Sequence, residues 1–201
     1  MTAYASYGIV ILAAGNSSRL GEPKQLLKYQ NKTLVRHITE AALASGVSEV
    51  MVVTGSNADR IENELNGLEC HFAHNSVWVE GMGSSIAIGV QELQSINPTL
   101  NGVILAVSDQ PFVDTELFQS LIDQLKQTNA GIVASSYAGT LGTPVLFSEK
   151  YFNNLLKLSG TEGAKKLLSK FSDDVTSCLF PLGNIDIDTK EDYKNLINYQ
   201  S

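Results

Sequence analysis

Short apolar runs alternate along this chain with stretches in which apolar residues recur every three or four positions. The runs at 8–13, 49–54 and 102–107 are rich in β-branched residues and nearly continuous. Continuous apolar runs of this length are typical of strands that are buried on both faces of a sheet. We therefore predict that these three runs form parallel strands at the centre of one sheet.

The periodic stretches predict the helices that connect these strands. They lie at residues 33–45, 57–65, 84–95 and 114–127. The last of them has the most regular apolar face, and Asp114 is predicted to cap its N-terminus. Strand is followed by helix repeatedly, which is the order that a parallel sheet requires.

The second half of the chain continues this alternation. Strands are predicted at 131–137 and 143–147 with a glycine-containing turn between them, and Pro144 favours an edge or first position in the second strand. Two helical segments, a strand and a last helix follow, at 148–158, 161–171, 175–180 and from about Lys190. The whole pattern predicts a three-layer α/β/α sandwich around a mostly parallel, doubly wound sheet, with residues 1–201 as a single domain.

Composition and charge exclude several classes of protein. The 201 residues are 43% hydrophobic and 17% charged, and no segment approaches the roughly 20 apolar residues of a membrane span. The formal charge of −7 argues against adhesion to nucleic acid or to an anionic membrane. The opening MTAYASYG has no secretory pattern, so a cytoplasmic location is expected. Cys70 and Cys178 have neither redox nor zinc spacing and are expected to be buried, reduced thiols.

The loop after the first strand, within ILAAGNSSRLGEPK at 11–24, combines glycines, serines and two cations. In an open α/β sheet, ligands bind beyond the carboxyl ends of the strands, where this loop is expected. Gly15 and Gly21 let the backbone approach a ligand closely, and Arg19 and Lys24 can bind phosphate. The spacing fits neither a Walker loop nor a GxGxxG dinucleotide loop. A solvated connection without a ligand is the alternative.

The stretch LAAGNSSRLGEPKQLL resembles the LAAGxSxRxGxxK signature of nucleotidyltransferases of the molybdenum-cofactor branch, the MobA-like and MocA-like proteins. Four later stretches resemble further motifs of that family in the same order: EGMGSSIAIG (80–89), VSDQPFV (107–113), GTPVLF (142–147) and DIDTKEDY (186–193). The match covers essentially the entire chain. It implies a fold like that of the nucleotide-diphospho-sugar transferases.

The resemblance implies an Mg²⁺-dependent transfer of a nucleotidyl group from an NTP to a phosphate acceptor, with release of pyrophosphate. It assigns Arg19 and Lys24 to the triphosphate and Asp109 to the metal, so these three residues are the expected catalytic set. Asp109 also has a suitable position, directly after a buried strand, although a lone aspartate there often serves as a turn or cap residue.

Two acids near the C-terminus are the other candidate metal ligands. Asp186 and Asp188 lie two positions apart and would point to one side of an extended stretch. The resemblance gives one of them a metal or triphosphate role, with Asp186 slightly favoured. Asp188 or Thr189 is also predicted to cap the last helix.

The resemblance further implies a nucleotide site that is built from two loops. Its expected residues are Leu12, Ala13, Ala14, Gly15, Arg19, Lys24, Gly83, Ser84 and Ser85. Ser84 or Ser85 is alternatively predicted to be only the N-cap of its helix. Trp78 is interpreted as a core or rim aromatic, with stacking on a base as the alternative.

The identity of the base follows from one position in the first loop. MobA-like guanylyltransferases typically read LAGG there, whereas MocA-like cytidylyltransferases read LAAG, as this chain does. The methyl group of Ala14 would crowd a purine more than a pyrimidine. The resemblance therefore points to CTP, to molybdopterin as the acceptor, and to a molybdenum hydroxylase as the protein that receives the resulting molybdopterin cytosine dinucleotide.

Several positions depart from the family pattern. The family's GDxGAR reads GTEGAKK at 160–166, so Thr161 replaces an acid and Lys165 replaces an arginine; Thr143 and Lys190 stand where many members have His and Pro. These positions lie in the half that faces the acceptor in this family. Two alternatives therefore stay open. One is a nucleotidyltransferase for another pair of substrates, such as GTP with molybdopterin or an NTP with a sugar or alcohol phosphate. The other is a non-catalytic cofactor-binding accessory protein for molybdenum hydroxylase assembly.

Overall fold

The computed structural model describes residues 6–17 and 20–199, and one large sheet runs through this part of the chain. Its strands are, in chain order, β1 (Tyr7–Leu12), β2 (Lys28–Tyr29), β3 (Lys32–Thr33), β4 (Glu49–Thr54), β5 (His71–His74), β6 (Gly102–Val107), β7 (Ile132–Tyr137), β8 (Thr140–Ser148) and β9 (Val175–Leu179). Seven of them form the sheet in the order β5-β4-β1-β6-β8-β7-β9, while β2 and β3 form a separate hairpin.

Helices lie between most of the successive strands of this sheet, and one more helix follows the last strand. They are, in chain order, α1 (Leu34–Ala44), α2 (Ala58–Glu64), α3 (Met82–Ile96), α4 (Thr115–Gln127), α5 (Phe152–Leu155), α6 (Ala164–Lys170) and α7 (Lys190–Asn198). Short 3-10 turns lie at Lys24–Leu26, Trp78–Glu80, Glu149–Tyr151 and Ser172–Asp174. Within the described residues, every helix is too short or too polar to cross a lipid bilayer.

The three predicted central strands are confirmed. Strand β1 pairs in parallel with β4 on one side and with β6 on the other. In the described sheet only β8 runs against the other strands, because it pairs antiparallel with both β6 and β7. The sheet is therefore mostly parallel, and the carboxyl ends of β1, β4 and β6 lie at the same edge.

Both faces of the sheet are covered, as the continuous apolar runs predict. Val10 and Leu12 of β1 pack in one cluster with apolar residues of α3, α5 and α6. Ile9 and Ile11 point to the other face and pack with apolar residues of α1 and α4. Alternate residues of one strand thus belong to two cores, which is the three-layer arrangement.

Three predictions of detail need correction. Strand β8 lies between β6 and β7, so Pro144 belongs to a central strand and not to an edge strand. The register of the β7–β8 pair shifts between Ala134 and Ser135. Pro144 lies in the resulting bulge, where the sheet needs no N–H donor. The helix predicted at 148–158 is a 3-10 turn followed by the four residues of α5. Finally, Cys70 and Cys178 are free thiols, but they are half-buried rather than buried.

Candidate functional site

The loop after β1 is held by a buried amide. Gln25 is 1% exposed, and its Nε2 donates to the carbonyl oxygens of Ala13 at 3.1 Å and Gly15 at 2.8 Å. The Ser17 hydroxyl accepts from the backbone N–H of Lys24 at 2.9 Å. These bonds fold the loop back onto its own start. Sequence reasoning did not identify Gln25 as a site residue. Its only distinguishing feature in the sequence is an uncharged amide that stands between a lysine and two leucines.

Arg19, the second predicted phosphate ligand of this loop, lies outside the described residues together with Ser18. The loop continues at Gly21, which has a φ of +82°, a conformation that favours glycine. Arg19 therefore stays a prediction from the sequence.

Lys24 joins the loop to two of the predicted carboxylates. Its Nζ donates to Asp109 Oδ2 at 2.5 Å and to Asp188 Oδ1 at 2.8 Å. The side chains of Lys24, Asp109 and Asp188 are 19%, 16% and 34% exposed, so solvent screens these contacts only in part. Burial alone would lower the pKa of Lys24, but the two carboxylates raise it above its usual value. Lys24 is therefore a firmly charged group at this site.

Asp186 lies near this pair. Burial, and behind it the negative charges of Asp109 and Asp188, raise the pKa of Asp186. Three carboxylates around one ammonium carry a formal charge of −2 when all are ionised. A surplus of negative charge at one place favours a bound cation.

Ile187 anchors the two C-terminal acids against the end of β6. Its side chain is fully buried, and its backbone N–H donates to the Asp109 carbonyl oxygen at 3.1 Å. Thr189 caps α7 and forms a reciprocal capping box with Asp192. The predicted cap is therefore confirmed for Thr189, while the side chain of Asp188 contacts Lys24.

The described acids do not form a complete metal-ligand set. Among residues 6–17 and 20–199, no three or more His, Cys, Asp or Glu side chains are grouped so that they could hold an ion. However, Oδ1 of Asp109 is buried and has no hydrogen-bond partner among these described residues. Mg²⁺ typically takes one or two carboxylates and fills its other positions with water and substrate phosphate. The donors present are of the right kind and number for that ion.

A cavity of about 310 Å³, here named the smaller cavity, opens between the loop after β1 and the start of α3. Ala14 and Lys24 line it from the loop, and Trp78 and Ser85 line it from the facing segment. Trp78 is half-buried, which agrees with its interpretation as a rim aromatic. A Cβ atom on Gly55 would lie 2.9 Å from the Ala14 methyl group, so glycine at 55 is what allows alanine at 14.

Asn75 positions the serines at the start of α3. It is fully buried, and its Nδ2 donates to the hydroxyl oxygens of Ser84 and Ser85, each at 2.9 Å. The prediction that one of these serines caps α3 is wrong, because the helix begins at Met82 with Gly81 as its cap residue. The Ser84 hydroxyl instead donates to the Gly81 carbonyl oxygen at 2.9 Å. Asn75 is a further residue that sequence reasoning missed, since a lone asparagine after a strand has no motif signal.

The structure divides the predicted nucleotide residues into two sets. Those that line the smaller cavity are Leu12, Ala14, Gly15, Lys24 and Ser85. Ala13 is instead a core residue at 1% exposure. Gly83 and Ser84 lie in the first turn of α3 without lining the cavity, and the Gly83 N–H donates to the Gly160 carbonyl oxygen at 2.9 Å.

A second cavity, of about 590 Å³ and here named the larger cavity, adjoins the smaller one. Asp109 lines both, and so do Leu12, Met82 and Val107. The larger cavity also contains Asp186. Asp109 thus stands where the two cavities meet.

Three of the four positions that depart from the family pattern line the larger cavity. These are Thr143, Thr161 and Lys165. Lys165 is exposed and forms no ion pair with any described residue. Lys190, the fourth position, begins α7 and does not line this cavity. The departures therefore affect mainly the larger cavity.

Comparison with known proteins agrees with this geometry. The sequence profile of the MobA-like NTP transferase domain matches residues 9–175. Nicotine blue oxidoreductase of Paenarthrobacter nicotinovorans is 34% identical over 136 residues, which are 67% of this chain and 63% of that protein. The purine catabolism protein PucB of Bacillus subtilis is 28% identical over 196 residues, 92% of each chain.

Solved structures give the same result for the fold. Rv0371c from Mycobacterium tuberculosis H37Rv superposes with a TM-score of 0.83 at 27% identity, over 96% of this chain and 98% of that one. A second structure of Rv0371c, a complex with manganese, gives a TM-score of 0.77 at 26% identity over 96% and 99% of the two chains. The predicted α/β fold class is confirmed.

Proposed function

This chain belongs to the MobA-like NTP transferase family, and from that premise we propose that it transfers CMP from CTP to molybdopterin and releases pyrophosphate. The product would be molybdopterin cytosine dinucleotide. Residues 1–201 would act as one nucleotidyltransferase domain. A molybdenum hydroxylase would then receive the product.

The proposal depends above all on the meeting of two cavities at Asp109. Nucleotidyl transfer has two substrates, and their reacting groups must meet at one point in the correct orientation. The smaller cavity would hold the nucleotide, and the larger one would hold the acceptor. Asp109 lines both, so it lies where the α-phosphate and the acceptor phosphate would meet.

The proposed reaction needs no protein nucleophile. An oxygen of the acceptor phosphate attacks the α-phosphorus, the bond from that phosphorus to the oxygen bridging to the β-phosphate breaks, and pyrophosphate leaves. Lys24 and Arg19 would bind the triphosphate and offset the negative charge that gathers on the leaving pyrophosphate. Catalysis would therefore consist of positioning and electrostatic stabilisation.

The remaining residues of the predicted nucleotide site would have two different roles. Leu12, Ala14, Gly15 and Ser85 line the smaller cavity and would contact the base, the ribose and the phosphates. Ala13, Gly83 and Ser84 would support that wall from behind, in agreement with their backbone and side-chain hydrogen bonds.

The carboxylates fit an Mg²⁺ ion. The unpartnered Oδ1 of Asp109 would be the first ligand, with Asp186 or Asp188 as the second. Bound there, Mg²⁺ would contribute positive charge beside the triphosphate. Lys24 now occupies Asp109 Oδ2 and Asp188 Oδ1, so we expect its ammonium group to turn toward the triphosphate when the nucleotide binds.

Ala14 supports CTP as the nucleotide. Its methyl group belongs to the wall of the smaller cavity, close to Gly55 and Trp78. A cavity of about 310 Å³ is small among ligand sites and favours the smaller of two bases.

The test is pyrophosphate release with each of the four NTPs and Mg²⁺, with and without molybdopterin. We expect release that needs both CTP and molybdopterin. The Asp109→Asn variant should lose at least about tenfold in kcat/KM, which corresponds to about 1.4 kcal/mol. The Asp173→Asn variant, which changes an exposed acid in the 3-10 turn Ser172–Asp174, should keep normal activity. Release with a sugar phosphate in place of molybdopterin, or tight CTP binding without turnover, would contradict the proposal.

A further inference from the structure

Two glycines make room for the ring of Tyr137 at the larger cavity. A Cβ atom on Gly142 would lie 2.1 Å from the Tyr137 hydroxyl oxygen, and one on Gly183 would lie 2.3 Å from Tyr137 Cδ1. Neither glycine has a positive φ, so both are required for space rather than for backbone conformation. Tyr137 also packs edge-to-face against Phe180 at 6.2 Å between ring centroids. The ring is therefore held in a fixed position at the end of β7.

Gln110 is fixed beside it by the same segments. Its Nε2 donates to the carbonyl oxygens of Thr143 at 3.2 Å and Gly183 at 2.8 Å. These two acceptors determine the orientation of the Gln110 side-chain amide, because only its NH₂ group can donate to them. The carbonyl oxygen Oε1 is buried and has no hydrogen-bond partner in the part of the chain that the structure describes, although Gln110 lines the larger cavity. A buried acceptor without a partner has lost its hydrogen bond to water and gained none in return, so it is a place where a ligand donor gains affinity.

The hydroxyl group of Tyr137 supplies a hydrogen-bond donor beside this acceptor. Burial, and behind it the charges of Asp186 and Asp109, raise the pKa of Tyr137, while hydrogen bonds between its hydroxyl and the side chains of Thr143 and Gln110 act in the opposite direction. The hydroxyl is thus protonated at neutral pH and can donate. A fixed acceptor and a fixed donor lie side by side in a cavity whose other wall is apolar, with Ile86, Leu105 and Val107.

We propose that Gln110 and Tyr137 select the acceptor by forming hydrogen bonds with a lactam edge of its ring. In a lactam edge, a ring N–H lies beside a ring C=O. The N–H donates to Gln110 Oε1, and the C=O accepts from the Tyr137 hydroxyl. The apolar wall covers the face of a planar heterocycle. This inference rests on the proposed function only in assigning the larger cavity to the acceptor, and it makes Gln110 and Tyr137 specificity residues that act on the ring rather than on the reacting phosphate.

The test is direct binding, measured by the change in fluorescence of a pterin when protein is added. Pterin carries a lactam edge, and 3-methylpterin carries a methyl group in place of the hydrogen of that N–H. We expect the wild-type chain to bind pterin at least about tenfold more tightly than 3-methylpterin. Tyr137→Phe should weaken pterin binding about fivefold or more while it keeps the ring. Tyr193→Phe, which removes a hydroxyl bonded to the Lys28 carbonyl oxygen elsewhere, should bind both compounds as the wild type does.

Equal binding of both pterins by the wild type, binding of neither, or an unchanged pterin affinity of Tyr137→Phe would overturn the inference. If Tyr137→Phe does not fold, the comparison of the two pterins on the wild type decides alone. Failure of the proposed function has a different signature, because it is the absence of pyrophosphate release from CTP with molybdopterin. Turnover of molybdopterin together with equal binding of the two pterins would refute the recognition of the lactam edge by Gln110 and Tyr137, and it would leave the proposed reaction unaffected.

Discussion

The ammonium nitrogen of Lys24 lies 2.5 Å from Oδ2 of Asp109, although the two residues are 85 positions apart in the chain. This contact joins the loop after β1 to the end of β6. The Lys24 ammonium group therefore occupies one oxygen of the carboxylate that we assign to the metal, while the other oxygen has no partner within residues 6–17 and 20–199. Lys24 and a divalent ion would therefore compete for Asp109.

This competition predicts how the metal binds in the absence of nucleotide. Lys24→Met removes the positive charge that contacts Asp109 Oδ2 and Asp188 Oδ1, so Mn²⁺ alone should bind about tenfold more tightly than to the wild type. Electron paramagnetic resonance of free and bound Mn²⁺ measures this directly. Lys28→Met, at an exposed position on β2, should leave Mn²⁺ binding unchanged. If Lys24→Met binds Mn²⁺ no better than the wild type, Lys24 does not compete with the metal.

Gln25 should control nucleotide binding through the loop. Gln25→Leu leaves the carbonyl oxygens of Ala13 and Gly15 without their donor, which costs about 1 to 3 kcal/mol of unfolding free energy. We expect KM for CTP to rise about tenfold and KM for the acceptor to stay nearly constant, because the larger cavity does not contain this loop. Steady-state kinetics with each substrate varied in turn give both constants. Gln119→Leu, on the exposed face of α4, is the control, and an unchanged KM for CTP in Gln25→Leu would contradict this role.

Ala14→Gly should change the choice of base. Removal of the methyl group enlarges the smaller cavity and should raise the ratio of GTP to CTP in kcat/KM about tenfold, the effect of one methyl group in a well-packed site. The ratio is measured on one preparation of protein, so partial unfolding cannot mimic the result. The same ratio in the variant and the wild type would remove Ala14 as the explanation of base choice.

A cluster at the opposite edge of the sheet predicts a pH effect on stability that is separate from activity. Asp174 accepts from the Gly131 N–H at 3.0 Å, from Lys150 Nζ at 2.6 Å and from the Tyr151 hydroxyl. Burial alone would raise the pKa of Asp174, but these donors lower it below its ordinary value of 3.8. A lowered pKa stabilises the folded chain at pH values above 3.8, and that stability is lost as the pH falls through the folded-state pKa.

Asp174→Asn should therefore lower Tm at pH 7 by about 2 to 4 °C, the equivalent of about 1 kcal/mol for a partly exposed group. The difference from the wild type should shrink as the pH falls below the ordinary aspartate value, while activity at 25 °C stays normal. Thermal unfolding followed by circular dichroism at several pH values provides the comparison, with Asp173→Asn as the control. A difference in Tm that does not change with pH would show that the charge of Asp174 is not its cause.

The central sheet could be predicted from the sequence because its signal is local. The runs that contain β1, β4 and β6 are continuous, apolar and β-branched, and burial on both faces leaves few other ways to fold them. The position of β8 could not be predicted in the same way. Pro144 argues for an edge, and only the bulge against β7 removes the need for its missing N–H.

The candidate site could be predicted only where a motif marks it. Lys24 and Asp109 belong to recognisable stretches, and the structure brings them into contact. Gln25, Asn75 and Tyr137 were missed, because their positions depend on contacts with segments that are distant in the sequence. The relation of Asp186 and Asp188 also depends on such a contact, since Lys24 reaches Asp188 across 164 positions.

The central claim is that Asp109 anchors a divalent ion that holds the triphosphate. Calorimetric titration of CTP with and without Mg²⁺, on the wild type and on Asp109→Asn, tests it most directly. We predict that Mg²⁺ tightens CTP binding at least about tenfold in the wild type and has little effect in Asp109→Asn. Equal CTP affinity with and without Mg²⁺ in the wild type, or the full Mg²⁺ effect in Asp109→Asn, would contradict the claim.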